Sequence, residues 1–177
     1  MLSRTILLGG VAAAAVAAPG IAAADPNQPP PPPPAPNVNA WAVVKPSDYS
    51  VLADQAYAFT TPDGVTCMIQ RNGGYGCFGA LPGAPQGANL VSGRIGQPTG
   101  FANAGGNPFA VAGDVKPLPA GSRVSYQTLS CGTDGTVTSC VDSKNQAGFV
   151  ISPGATWLVG EINPLIDRPE GTNPYFN

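Results

Sequence analysis

From Val65 to Gln70 the chain alternates, with Val65, Cys67 and Ile69 on one side and Thr66, Met68 and Gln70 on the other, which is the period of a strand. Thr61-Pro62-Asp63-Gly64 just before it predicts a turn, with Pro suited to the second position and Gly to the last. Arg71-Asn72-Gly73 just after it suits a three-residue hairpin loop with Gly73 left-handed. That loop pairs Gln70 with Gly74, Ile69 with Tyr75 and Cys67 with Cys77. Alternation resumes between Arg123 and Cys131, where Val124, Tyr126 and Thr128 share a side. β-Branched and aromatic runs at Thr136 to Val141 and Phe149 to Ile151 supply further strands, and Trp157-Leu158-Val159 closes the core.

Helical patterning is confined to WAVVKPSDYSVLADQAYAF, from Trp41 to Phe59, where Ser47 can serve as N-cap ahead of Val51, Leu52 and Gln55. Two short strands around Lys45-Pro46 are the alternative reading. From Gly79 to Gly121 the chain is rich in Gly, Pro, Ala and Asn, and only Phe109 to Val115 reads as a short strand. A loop of that length inside a compact domain is either functional or conceals further elements. FTTPDGVTC and FVISPGATW echo one another across a gap and hint at internal duplication. The expected fold is mainly β, a small antiparallel sheet or a sandwich- or barrel-like domain with two disulfide-stapled hairpins and at most one short N-terminal helix.

The ends of the chain change the picture from fold to compartment. Arg4, the apolar run Ile6 to Val16 and Ala22-Ala23-Ala24 predict a secretory signal peptide over residues 1–24. A membrane anchor would need about 20 uninterrupted apolar residues, and Gly9-Gly10 and Pro19-Gly20 break the run. Residues 25–37 contain six consecutive prolines, which dictate a semi-rigid polyproline II stalk. A ligand for a proline-recognition domain is the rival reading, but specificity residues flanking the prolines are missing. Residues 38–160 form the expected stapled domain, and the proline-bearing 161–177 an extended tail. The mature chain is expected to be secreted or envelope-associated, monomeric and without a stable membrane span.

Composition then excludes partners. Without Arg4 the chain carries seven basic against ten acidic side chains, thinly spread, and nucleic acid or anionic lipid needs clustered Lys and Arg. Histidine is absent, which removes the commonest general base and leaves Ser or Cys triads without their usual partner. Neither S-x-x-K nor G-x-S-x-G occurs. Glu161, Glu170 and scattered aspartates are the available carboxylates, and Asp63, Asp134 and Asp142 stand where turns want them. No cofactor is implied.

Four cysteines in an exported chain read first as two disulfides. The spacing is wrong for zinc, and no C-x-x-C supports redox chemistry. Local pairing, Cys67 with Cys77 and Cys131 with Cys140, leads among the three connectivities. For the second pair it carries a condition: a tight Asp134-Gly135 turn would set Cys131 against Thr138, so the bridge demands a four-residue loop from Asp134 to Val137, or a bulge.

These cysteine segments also resemble a known family. F-T-T-P-D-G-V-T-C-M-I, L-P-A-G-S before Cys131, V-T-S-C and G-F-V-I-S resemble a domain of unknown function found in small exported actinobacterial, chiefly mycobacterial, proteins. The resemblance spans roughly Phe59 to Val159 and implies two disulfide-bearing β segments and envelope or extracellular residence. It carries no activity, and Ala147 stands where the family often has histidine. The expected function is a non-enzymatic envelope binding or accessory module with an unknown envelope component or protein as partner. Tyr75, Phe78, Phe101, Phe109 and Trp157 are candidates for a ligand face, with a core role the competing reading. A histidine-free hydrolase acting on an envelope component is the alternative, and a buried acid with a strongly raised pKa would be its signature.

Overall fold

The computed structural model describes residues 32–160. The signal peptide, the start of the stalk, the C-terminal tail, Glu161 and Glu170 lie outside the described residues. Twelve strands form two six-stranded sheets. In the first, β2 (Ser50–Val51), β3 (Ala56–Thr60), β4 (Thr66–Gln70), β5 (Gly74–Phe78), β6 (Leu90–Arg94) and β7 (Gly100–Ala102) pair antiparallel in chain order. In the second, β8 (Ser122–Tyr126), β9 (Leu129–Thr133), β10 (Thr138–Asp142), β11 (Ala147–Ile151) and β12 (Thr156–Val159) do the same. A two-residue strand, β1 (Ala42–Val43), flanks β8 in parallel.

Local chemistry sets both stapled hairpins. Gly73 takes φ 88° and donates its N–H to the Gln70 carbonyl at 2.9 Å, closing the three-residue loop. Ile69 then faces Tyr75 and Cys67 faces Cys77, and the disulfide joins them. In β9–β10 the loop is the four-residue Asp134 to Val137. Its Asp134 carboxylate accepts the Thr136 and Val137 N–H groups at 2.8 and 2.6 Å, with Gly135 at φ 100°. Thr133 therefore faces Thr138, and Cys131 faces Cys140 within the second disulfide.

Each sheet presents one row to a shared core. Phe59, Cys67, Cys77, Val91 and Phe101 stand opposite one another across the first sheet, and Val124, Cys131, Cys140, Phe149 and Leu158 across the second. Both rows belong to one apolar cluster, in which Phe59, Phe149 and all four cysteines are fully buried. Tyr75 of the first sheet stacks on Phe149 of the second at 6.1 Å, and Tyr57 meets Tyr126 at 5.7 Å. The structural repeat thus matches β3–β7 with β8–β12. The FTTPDGVTC/FVISPGATW echo does not follow that repeat, since it joins β3 to β4, the first two strands of one meander, but β11 to β12, the last two of the other.

The departures from expectation have physical causes. No helix follows Ser47; a short 3-10 turn spans Pro46–Tyr49 without a side-chain cap, and Ser50–Val51 pairs back on Ala56–Tyr57. Leu52, Ala53 and Asp54 all take positive φ, and the Ser50 hydroxyl donates to the Asp54 carboxylate across that loop. Ala56 to Phe59 is buried on both faces, which erases strand alternation and leaves a continuous apolar run. Phe109 to Val115 is not a strand, because it carries a 3-10 turn at Ala110–Ala112. Thr128 leaves the strand for a two-residue turn with Gln127 at φ 53°.

The long segment does conceal elements, β6 and β7. Gly93 faces Tyr75, and a Cβ there would lie 3.1 Å from the tyrosine Cζ, so a glycine stands where an apolar residue would have signalled the strand.

Candidate functional site

The outer side of the first sheet sets Met68 among small residues along its middle row. Across its middle, Ala58, Met68, Gly76, Ser92 and Gly100 face one another, and a Cβ on Gly76 would strike the Val91 carbonyl at 2.6 Å. A flat shelf results. Residues 103–117 run over it as a strap, held by the Asn89 side chain, which donates to the Ala104 carbonyl at 2.9 Å and accepts the Ala104 N–H at 2.8 Å. The strap returns to the sheet where Thr60 N–H donates to the Lys116 carbonyl and Leu118 N–H to the Thr60 carbonyl, each at 2.9 Å.

Phe109 hangs from this strap onto Met68, Ala56 and Ala58, forming a second, smaller apolar cluster. The Asn107 side chain accepts the Phe109 N–H at 2.8 Å and so fixes the approach of the ring. Beside the ring a hollow of about 200 Å³ remains, bounded by Met68, Leu90, Phe109, Gln70 and Ser92. Its lining mixes the apolar Met68, Leu90 and Phe109 with the polar Gln70 and Ser92 and carries no charged side chain, which suits a small amphipathic group rather than a charged one.

A buried acid occupies one end of the core. Asp142 faces inward and is fully buried. Its carboxylate accepts the Gly96 N–H at 2.7 Å, on the β6–β7 turn, and the Lys144 N–H at 3.1 Å, on the β10–β11 turn. Burial works against the charge, but the Thr128 hydroxyl beside the carboxylate, these two amides and the Lys144 ammonium outweigh it and hold the acid below its ordinary range. Tyr75 points toward the same place with a hydroxyl that has no hydrogen-bond partner. Burial and then the Asp142 charge push that phenol far above its ordinary pKa. Asp142 is thus a tie between two turns, kept ionised, and not a proton donor held neutral in a cleft.

The five aromatic candidates separate into three places. Tyr75 and Phe101 enter the shared core, Phe78 and Phe109 join the cluster on the outer side of the first sheet, and Trp157 stands half-buried on the outer side of the second. Only Phe109 and Tyr75 border the hollow. Asn89, which holds the strap, and Asn107 within it went unnoticed in the sequence, where Asn amid Gly and Ala reads as loop. Among the described residues no group of three His, Cys, Asp or Glu side chains is placed to hold a metal, and no helix is long and apolar enough to cross a membrane. Comparison with family models, curated proteins and solved structures finds no match to this chain.

Proposed function

We propose that this chain is an exported, non-enzymatic binding module of the cell envelope, with its ligand seated in the hollow beneath Phe109. The observation that carries the reading is the hollow beside Phe109, a ring strapped across the sheet face, with Met68, Leu90, Gln70 and Ser92 around it. The two closed disulfides support an oxidising destination, as do the signal-like leader and the proline stalk. The lowered pKa of the one fully buried acid among the described residues speaks against the hydrolase alternative, which called for a raised one.

The test is retention of the secreted chain on peptidoglycan, cell-wall polysaccharide and envelope lipid fractions. Ser92→Leu, which fills the hollow while sparing the core, should abolish retention. No retention of the unaltered chain on any fraction would sink the reading.

A further inference from the structure

The outer side of the second sheet holds a cation in an arrangement that the proposed module does not use. Six basic side chains fall among the described residues, and five of them are exposed; Arg123 alone is half-buried. Its Nε donates to the Trp41 carbonyl at 3.0 Å, and its Nη1 donates to Ser125 Oγ at 2.6 Å and Ser130 Oγ at 3.0 Å. All three partners are neutral. A guanidinium partly withdrawn from water ordinarily takes a carboxylate.

The hydroxyl network has a defined direction. Both serines accept from Arg123, Ser130 donates to Asn39 Oδ1 at 3.1 Å, and Ser125, 3.0 Å from Ser130, is left to donate to it. The serine protons are therefore used within the network, and among the described residues the donors it leaves open are the Arg123 Nη2 and Asn39 Nδ2 hydrogens, of which Arg123 carries the charge. The Nη2 hydrogens are fixed in place by the other three bonds of the guanidinium, so little side-chain freedom remains to be lost when an anion arrives.

A flat apolar surface lies alongside. A Cβ on Gly132 would fall 2.7 Å from Trp41 Cε3 and 2.8 Å from Arg123 Cβ, so the half-exposed indole lies over bare backbone against the arginine stem. We infer that Arg123 and Trp41 form a site for a carboxylate-bearing sugar, with the guanidinium taking the carboxylate and the indole taking the C–H face of the ring. Fixed charge sets the orientation, and the aromatic platform sets the preference for a ring over an open chain.

The chain contains two tryptophans, so its proton–nitrogen NMR spectrum carries two indole signals that single substitutions assign. Sodium glucuronate, glucose, sodium chloride and dialanine are titrated separately into the full chain. Glucuronate should move the Trp41 indole and Arg123 Nε–H signals saturably, while glucose and chloride leave them in place. Arg123→Gln should weaken the response at least about tenfold, and Trp41→Leu, which keeps the arginine, about fivefold. Unchanged dispersion of the strand amides in each variant separates lost binding from lost fold. No saturable shift up to about 0.1 M glucuronate would overturn the site, as would an undiminished response in folded Arg123→Gln. Dialanine binding more tightly than glucuronate would overturn the assignment to a sugar.

Discussion

The two sheets share a plan and differ in what covers them. Each places a disulfide between its second and third strands of a five-strand meander, with an aromatic or aliphatic residue on either side in the same row. Outside, the first sheet sets Met68 among small residues and is closed by Phe109. The second carries Arg123, Ser125, Ser130 and Trp157, and the N-terminal segment with Val38 lies near its β9 and β10. The inner rows meet in one core and so repeat, whereas the outer faces do not meet and are free to diverge.

The strongest test of the shared plan is the centre. Phe149→Ala removes a fully buried ring stacked on Tyr75 and should cost about 3 to 5 kcal/mol, seen as a lower denaturant midpoint with unchanged slope. Phe59→Ala should match it if the sheets are equivalent. Replacing either cysteine pair by serine should cost about 2.5 to 3 kcal/mol, because the two closed segments differ by one residue in separation. A gap of more than about 1 kcal/mol between the pairs would show that one sheet is built more rigidly than the other.

Weaker effects probe the difference between the faces. Phe109→Ala should cost about 2 kcal/mol, less than the core rings, since a strap can settle into the space as a strand cannot. Amide exchange in the strap should quicken while β9 to β11 stay protected.

The acid limb isolates Asp142. Its folded pKa lies below the unfolded one, so its stabilisation is present above the unfolded carboxylate pKa and is lost as pH falls through the folded value. Asp142→Asn should therefore flatten the loss of stability between neutral and acid pH, as read from midpoints across that range. The smallest effect is Tyr75→Phe. Removing a buried, partnerless hydroxyl should be neutral or stabilising by up to about 1 kcal/mol. The same variant should flatten the alkaline limb. The raised phenol stabilises the fold fully below its unfolded pKa and ceases to do so as pH rises toward the folded one.

Much of the frame was legible because hairpin loops dictate register. Arg71-Asn72-Gly73 sets Cys67 against Cys77, and the length of the Asp134 to Val137 loop sets Cys131 against Cys140. What escaped reading was decided by distant cover. Ala56 to Phe59 looks helical because the strap buries its outer side, and β6 is masked by Gly93, whose smallness answers to Tyr75 from another strand. Local pattern left all five aromatic candidates between ligand face and core, and the place of Phe109 in particular depends on where the strap of residues 103–117 crosses the sheet.

The short strand β1 carries a further consequence. It precedes every strand of the first sheet in the chain yet pairs with β8 of the second. A cut within residues 103–117 would therefore leave an amino-terminal piece that adds an edge strand to its carboxy-terminal counterpart, while each piece keeps its own disulfide. The molecule is in this sense already divided into two complementary parts, with a built-in latch by which separately made halves could find one another.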